Sequence, residues 1–302
     1  MHPHPMNTYL RRFTTLIAAG VLFWAVNKFC HAQTNGFQIV KIISALPASP
    51  EWDLVSSNAE EISSLQNILD QPFHFLGSGG QAYAFLSEDG KIVLKFLKMH
   101  HIRQYPLLNQ IPLPPMLDMG RKKFLLHQKR KLQRVFSSCK IAYTELKNET
   151  GLIFANLNPN AELASLKVQL IDRLHIRHQL NLSEVPFVLQ YRADNAFQKL
   201  RIHLKNQEID DAKKIVEEIV SLLIARFQKG IKDLDPAPRR NIGLFGDKAI
   251  AIDIGSFFYP SDPLTQEEAK EELANDTRRM RKWLAKRSLE LTDYFDSLID
   301  EF

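Results

Sequence analysis

Residues 76–98 read LGSGGQAYAFLSEDGKIVLKFLK. A glycine-rich turn of Gly77, Ser78, Gly79 and Gly80 separates two runs of strand-forming residues, 73–76 and 83–86. The Glu-Asp-Gly sequence at 88–90 is typical of a hairpin turn and leads into a third run, 91–97. The stretch therefore predicts a strand, a glycine turn, a second strand, a hairpin turn and a third strand.

The composition of this stretch favours phosphate binding. Glycine has no Cβ, so the backbone of a glycine turn can come close enough to a polyphosphate for its N–H groups to donate hydrogen bonds. Lys95 lies within the otherwise apolar run Ile92–Leu97. A buried ammonium without an anion costs several kcal/mol. We therefore expect an anion close to Lys95.

A second informative region lies about 140 residues later. Residues 230–245 form an acidic loop that reaches Asn241 and then a short apolar run. A tight turn at 246–248 leads into a second apolar run, which ends in Asp253-Ile-Gly255. The region predicts an acidic loop, two strands joined by a turn, and an aspartate at the end of the second strand.

Together the two regions resemble the protein-kinase-like superfamily, in which a D-x-G sequence follows a catalytic loop that ends in asparagine. The resemblance implies an α+β fold of two lobes: an N-terminal antiparallel sheet lobe and a reduced, mainly helical C-terminal lobe. It also implies ATP and Mg²⁺ as cofactors. Gly77-Ser78-Gly79-Gly80 would cover the phosphates, and Lys95 would bind the α- and β-phosphates. Asn241 and Asp253 would bind the metal.

The resemblance leaves the catalytic aspartate open between two residues. Asp233 begins an Asp-Leu-Asp-Pro sequence that is similar to the D-L-K-P sequence of the kinase catalytic loop, but three extra residues then precede Asn241. Asp235 has the nearer spacing, one residue too long. We prefer Asp233, because Ile231-Lys232-Asp233 occupies the place of H-R-D at the end of a helix.

One kinase feature is absent from the sequence. Kinases pair the lysine of the third strand with a glutamate on the next helix, yet between Phe96 and Thr144 the only acid is Asp118. The helix predicted there, 122–136, is instead basic. Either Asp118 or a carboxylate from elsewhere pairs with Lys95, or the site is degenerate. The basic helix could bind an acidic partner or a membrane surface.

The segment between the two regions fits the same plan. Strands are predicted at 151–157 and 185–193, with an inserted hairpin at 167–182. Gln190 to Ala193 would form the connection that receives adenine, and Leu189 would bound the back of the pocket. The predicted division is 1–32 leader, 33–70 N-terminal extension, 71–193 sheet lobe with the hairpin, and 194–302 helical lobe.

The N-terminus predicts export. Two arginines precede the apolar run 13–26, and Cys30-His-Ala32 offers the small residues that a signal peptidase reads. A run of 14 residues is short for a bilayer span, which favours a cleaved signal peptide over a membrane anchor. Without residues 1–32 the net charge falls from +5 to +2, which argues against nucleic-acid binding. Of the two cysteines, Cys30 lies in the predicted leader, so neither a structural disulfide nor a cysteine-based zinc site is expected.

The sequence supports three functions. The first is an ATP- and Mg²⁺-dependent phosphotransferase with an unknown acceptor, either a protein or a small molecule. The second is a pseudokinase, a nucleotide-binding or scaffolding module without transfer. The third is a secreted structural or adhesion protein. No A-P-E-like segment follows Gly255, so a platform for a protein substrate is not expected.

Overall fold

The computed structural model describes residues 5–44, 46–54, 59–101 and 111–302. Residues 1–4 of the predicted leader, 45 and 55–58 of the predicted extension, and 102–110 of the predicted sheet lobe lie outside the described residues. The helices are α1 Pro5–Gln33, α2 Ala59–Leu69, α3 Pro115–Thr144, α4 Lys147–Thr150, α5 Ala196–Asn206, α6 Ile209–Gln228, α7 Pro238–Asn241, α8 Gln266–Ala285 and α9 Leu289–Glu301. The strands are β1 Pro72–Ser78, β2 Ala82–Ser87, β3 Ile92–Leu97, β4 Leu152–Asn156, β5 Lys167–Ile171, β6 Arg177–Asn181, β7 Phe187–Tyr191, β8 Asp194–Asn195, β9 Lys232–Asp233, β10 Ile242–Phe245, β11 Lys248–Ala251 and β12 Phe257–Phe258.

The described strands of the N-terminal half form a sheet in the order β4-β7-β3-β2-β1-β5-β6. The predicted antiparallel lobe is correct except at one pair, because β1 and β5 run parallel. The exception arises because the β5–β6 hairpin, which lies within the segment predicted as an insertion, adds to the edge beyond β1. The predicted α+β architecture of a sheet lobe followed by helices is confirmed.

The quoted stretch forms the centre of this sheet. At the hairpin turn between β2 and β3, Gly90 has a left-handed φ of 71°. The Asp89 carboxylate accepts hydrogen bonds from the Ser87 hydroxyl and the Lys91 backbone N–H. These contacts fix the turn and the register that follows it. In that register Ala84 of β2 pairs with Lys95 of β3.

The core of the sheet lobe includes a segment from the predicted N-terminal extension. The Phe37 ring is 3% exposed and lies edge-on to Tyr83 and Phe85, with centroids 5.3 and 5.0 Å away. The Tyr83 hydroxyl donates to the Gly36 carbonyl at 2.7 Å. The residues directly after α1 are therefore packed into the sheet lobe.

Helix α1 makes little contact with the rest of the protein, since all its described side chains up to Ala32 are exposed. Residues Leu10–Gln33 are long and apolar enough to cross a membrane, a property that signal sequences share. The helix is continuous across Cys30 to Ala32, where the signal-peptidase site was predicted.

The C-terminal half is mainly helical. The face of α6 that contains Ile215, Ile219, Leu222 and Leu223 is buried against α5, α8 and α9. The capping box predicted at the start of α8 is present, because Thr265 accepts from the Glu268 N–H and the Glu268 carboxylate accepts from the Thr265 N–H. These helices support the short strands β9 to β12, which line the cleft between the lobes.

Helix α3 is longer than the predicted 122–136 and has two different halves. Its second half is buried and includes Val135, Phe136, Cys139 and Ala142. Its first half projects from the protein and exposes apolar side chains, with Met116 82% exposed. The buried half lies between the sheet and the Asp253-Ile-Gly255 turn.

Candidate functional site

Lys95 lies where the two lobes meet. Its ammonium donates to the Gln190 side-chain oxygen at 2.6 Å and to the Ile252 backbone carbonyl at 2.5 Å. Burial lowers the pKa of Lys95 to about 8, and the nearby carboxylate of Asp253 opposes this shift. Lys95 and Asp253 are 158 positions apart in the sequence, and the fold brings them near each other here.

Gln190 contacts Lys95 through its side chain. It lies within β7, not in the connecting segment where the sequence analysis predicted it. Val188 pairs with Lys95 across the ladder, and Gln190 lies two residues further along on the same face of the sheet. Its amide also donates to the carbonyls of Thr150 and Ala251, at 2.6 and 2.9 Å. Leu189, predicted to bound the pocket, faces the opposite core instead. Gln190 is an amide among the apolar residues of the buried strand β7, and a buried polar side chain needs partners, so this residue could have been singled out from the sequence.

Within the described residues, Lys95 forms no ion pair with a carboxylate. Asp118, the candidate from the sequence, pairs with Lys122 at 2.9 Å and with Arg121 in the first turns of α3. On the buried half of α3, the thiol of Cys139 lies near Lys95. Burial raises the pKa of Cys139 to about 12, so the thiol is neutral. The ammonium is therefore held by neutral oxygens.

Helix α3 contacts the Asp253-Ile-Gly255 turn through a residue that sequence reasoning missed. The Ser138 hydroxyl donates to the Ile254 carbonyl and accepts from the Phe257 N–H, both at 2.6 Å. Ser138 is fully buried. A buried serine on the apolar face of a helix is a signal that such a contact exists, because a buried hydroxyl needs partners.

The two predicted metal ligands lie in one small cavity. Asp253 and Asn241 line a space of about 30 Å³ together with Asp233. The Asn241 amide nitrogen donates to the Asp235 carbonyl at 2.9 Å, and the Ile252 N–H donates to the Asn241 carbonyl at 2.8 Å. These bonds leave the Asn241 side-chain oxygen available. A carboxylate and an amide oxygen are ligands that suit Mg²⁺.

Asp233 and Asp235 have different environments. The Asp233 side chain is 9% exposed, accepts from the Ser256 hydroxyl at 2.5 Å and from the Asp235 N–H at 2.9 Å, and lies 3.5 Å from Arg226. The Asp235 side chain is 58% exposed, and its nearest recorded cation is Arg240 at 3.3 Å. Asp233 is thus part of a buried network, whereas Asp235 is open to solvent.

The buried network centres on Arg226 of α6. Its guanidinium binds Asp276 of α8 at 2.6 Å as well as Asp233. Burial raises the pKa of Asp276, and Arg226 acts in the opposite direction. The network joins the acidic loop to two helices, so it fixes the position of the loop.

The glycine turn is closed over the Asp253-Ile-Gly255 turn. A Cβ placed on Gly255 would lie 2.0 Å from the Gln81 side-chain oxygen, so the two turns are in contact. Lys98 donates to the carbonyl of Gly79 at 2.5 Å, and the Gly79 N–H donates to Ala82 at 2.9 Å. A nucleotide would therefore need Gln81 to move.

The glycines of the turn are not required by the fold. Gly77, Gly79 and Gly80 do not have positive φ values. A Cβ on Gly77 or Gly80 would meet nothing within 4 Å, and one on Gly79 would make an ordinary contact. The backbone dihedral angles at these positions therefore do not require glycine. The missing side chains instead leave open space above the turn.

Ala193 lies beside the helical lobe, between β7 and β8. A Cβ on Gly243 would come within 2.6 Å of the Ala193 Cβ and 3.0 Å of the Asp194 carbonyl. Glycine at 243 is therefore needed for β8 to pair with β10. This close approach connects the segment after β7 to the strands that carry Asn241 and lead to Asp253.

No protein-family model matches the chain. No curated protein matches it either. Among solved structures, a 2.2 Å crystal structure of WbdD is similar with 16% identity and a TM-score of 0.36, covering 78% of this chain and 47% of that chain. The ROP18 kinase domain in complex with AMP-PNP and sucrose has 16% identity and a TM-score of 0.36, covering 76% of this chain and 72% of that chain.

The present chain thus spans about half the length of the WbdD chain, which is described as a bifunctional kinase-methyltransferase. A structure of WbdD with the kinase inhibitor LY294002 has a TM-score of 0.32 at 15% identity. TM-scores below 0.5 do not transfer an activity, a substrate or a residue role to this chain. The roles considered below rest on this chain's own geometry.

Proposed function

We propose that this protein is a phosphotransferase of the protein-kinase-like superfamily that uses ATP with Mg²⁺. The observation that carries the proposal is the bond from the Lys95 ammonium to the Ile252 carbonyl, one residue before Asp253. It brings a cation of the sheet lobe close to Asp253 of the helical lobe, and Asp253 lines the same small cavity as Asn241. A cation and two oxygen ligands at one cleft suit a metal-bound polyphosphate.

Each part of this cleft has a role in the proposal. Lys95 binds phosphate oxygens, and the glycine turn, 77–80, lies over them, since the missing side chains leave open space above the turn. Asp253 and the side-chain oxygen of Asn241 hold Mg²⁺. The metal, when bound, neutralises charge on the transferring phosphoryl group. Ala193 lies where the base would contact the connection between the lobes, and Gln190 contacts Lys95.

We assign the catalytic aspartate to Asp235 rather than to Asp233. A base that accepts a proton from an acceptor hydroxyl must be reachable by the acceptor, and the Asp235 side chain is 58% exposed. Asp233 already binds Arg226 and Ser256. In this assignment Asp233 holds the loop in position, and Asp235 orients the hydroxyl.

A pseudokinase is the second candidate, and two observations favour it. Lys95 is held by a neutral amide and a backbone carbonyl rather than by a carboxylate. The cavity lined by Asp233, Asn241 and Asp253 is about 30 Å³, room for only about two water molecules. Gln81, directly after the glycine turn, lies against Gly255, so nucleotide binding also requires the turn to open.

Nucleotide titration separates these candidates. We expect ATP with Mg²⁺ to raise the thermal unfolding temperature of the full chain, and Asp253→Ala to abolish the rise. Asp247→Ala is a matched control, because Asp247 is an exposed aspartate in the turn between β10 and β11. Absence of any rise in the wild-type protein would reject both nucleotide-binding functions and leave a structural or adhesion role.

Radiolabel transfer then distinguishes enzyme from scaffold. With γ-labelled ATP, the phosphotransferase releases label to an acceptor or to water, and the pseudokinase does not. We expect Asp235→Asn to lose transfer by at least 100-fold while it still binds nucleotide. Asp233→Asn is expected to lower stability instead, since it weakens the contacts to Arg226 and Ser256. Equal transfer by Asp235→Asn and wild type would reject the assigned base.

We also propose that the protein acts at a membrane surface. Leu10–Gln33 of α1 provides a signal or an anchor. The first half of α3 combines exposed Met116, Leu117 and Met119 with basic Lys122 and Lys123, a composition that suits an anionic lipid surface or an acidic partner. Sedimentation with vesicles of phosphatidylserine, compared with neutral vesicles, tests this proposal.

A further inference from the structure

A cavity of about 540 Å³ lies beside the acidic loop. It is lined by the start of α5, by residues 236–240 and by α8. Four arginines contribute to its lining: Arg201, Arg239, Arg240 and Arg279. The sequence analysis did not identify this cavity, because its residues come from three separate segments.

The positive charge of the cavity is largely uncompensated. All four arginines are exposed, and within the described residues no side-chain hydrogen bond or ion pair is recorded for Arg201, Arg239 or Arg279. In the described part of the chain, the Arg240 side chain contacts only the exposed Asp235, at 3.3 Å. The acid among the lining residues, Asp276, is buried and bound to Arg226. An anion would therefore meet several unpaired guanidinium groups.

A buried polar group in the same lining also lacks a partner. Trp283 is 8% exposed, and its indole Nε1 is buried without a hydrogen-bond partner among the residues that the structure describes. The ring is fixed by an edge contact to Phe197, with centroids 5.3 Å apart, and by the Arg287 guanidinium, 4.2 Å from the ring centroid. The Trp283 ring is therefore a fixed part of the cavity wall.

We propose that this cavity binds a phosphate group on a small acceptor that also carries a hydroxyl, an inference that rests on the proposed phosphotransferase function. Arginine binds phosphate oxygens bidentately, and three unpaired arginines match a doubly charged group. The volume lies in the range of about 300–1,000 Å³ that is usual for small-molecule pockets.

The position of the cavity suits an acceptor site. Pro236, Ala237 and Pro238 line both this cavity and the small one formed by Asp233, Asn241 and Asp253. The acceptor oxygen attacks the γ-phosphorus and forms the new P–O bond. The bond from that phosphorus to the bridging oxygen breaks, and ADP leaves with the electron pair. The hydroxyl proton passes to Asp235.

Fluorine NMR of the full chain in detergent micelles tests the proposal. The chain has three tryptophans, so labelling with 5-fluorotryptophan gives few signals, and Trp283→Phe assigns the one from the cavity. Glucose 6-phosphate and glycerol 3-phosphate are the probes, and glucose and glycerol are the neutral controls at the same ionic strength. We expect at least one phosphorylated probe, and neither control, to shift the Trp283 signal saturably.

Charge variants complete the test. The double variant Arg239→Gln/Arg279→Gln is expected to weaken probe binding at least tenfold. Arg278→Gln removes the same charge from the adjacent position of α8, outside the cavity lining, and is expected to change binding less than twofold. No saturable shift with either probe, an equal shift with the neutral sugars, or equal weakening by Arg278→Gln would overturn the proposal.

Binding of the phosphorylated probe is expected to be independent of nucleotide binding. Asp253→Ala is expected to remove the ATP response and to leave the Trp283 shift unchanged. If the phosphorylated probe binds but receives no label from γ-labelled ATP, the cavity stands as a phosphate site and the phosphotransferase function fails for that compound. If ATP is hydrolysed or transferred while neither probe binds, the enzyme stands and the phosphate site fails.

Discussion

Burial holds the pKa of Lys95 at about 8, so this side chain is largely uncharged above that pH in the closed cleft. Phosphate oxygens close to the amine favour its charged form. Binding of a nucleotide should therefore return the pKa of Lys95 to its ordinary value of about 10.4 or higher. The consequence is that the protein takes up a proton when ATP binds.

The size of this uptake follows from the two pKa values. At pH 9, a group with a pKa of about 8 is about 9% protonated, and a group with a pKa of about 10.4 is about 96% protonated. The expected uptake is thus about 0.9 proton per nucleotide at pH 9. At pH 7 the free amine is already about 90% protonated, so Lys95 contributes only about 0.1 proton.

Isothermal titration calorimetry measures the uptake directly. Binding enthalpies at pH 9 are compared in two buffers with different ionisation enthalpies, and their difference gives the number of protons. Lys95→Arg keeps the charge at every pH used, so it should bind nucleotide with almost no uptake. Lys98→Arg is the control at the neighbouring lysine and should retain the wild-type value. Uptake below about 0.3 proton in the wild-type protein, or unchanged uptake in Lys95→Arg, would refute the reasoning.

Three other predictions concern the contacts around the cleft. Gln81→Ala should raise nucleotide affinity about tenfold in the same calorimetric assay, because it removes the side chain that closes the glycine turn; lower affinity would contradict this role. Ser138→Ala should destabilise the protein by about 1–3 kcal/mol in urea unfolding, since it leaves a buried N–H unsatisfied, whereas Ser137→Ala should change stability by less than about 0.5 kcal/mol. Arg226→Met should cost about 3–5 kcal/mol, because two buried carboxylates lose their cation. Lys229→Met, at an exposed cation, should lower the free energy of unfolding by less than about 1 kcal/mol. Similar losses for Arg226→Met and Lys229→Met would argue against the buried network.

The sheet lobe was predictable because its signals are local. The glycine turn, the hairpin at Gly90 and the apolar run around Lys95 lie within 23 consecutive residues, and each constrains the backbone by itself. The structure has β1, β2 and β3 in these places. The capping box of α8 was predictable for the same reason, since its two residues are three positions apart.

The electrostatics of the site were not predictable, because they depend on distant segments. The choice between Asp233 and Asp235 turns on Arg226 and Ser256, which come from α6 and from the residue after Gly255. Spacing alone favoured neither aspartate decisively. Similarly, the neutral partners of Lys95 are an amide from β7 and a main-chain carbonyl. A carbonyl has no sequence signal.

Pairing with β5 was missed for a topological reason. The alternating apolar residues of 167–182 predict a hairpin but do not specify which edge it joins. In the structure the hairpin joins the free edge of β1, in parallel, and so covers a strand that would otherwise be exposed. β1 and β5 are far apart in the sequence, so no local pattern predicts that they pair.

The connection between α1 and the sheet lobe limits where the cleft can be. Three residues separate the end of α1 at Gln33 from Phe37, and they form a hydrogen-bonded turn, with the Gly36 N–H donating to His31 at 2.8 Å. Even fully extended, such a link reaches only about 14 Å. If α1 stays in a bilayer, no long flexible linker separates the domain from the membrane. The domain then stays close to the lipid surface, and only molecules that come to that surface can enter the cleft.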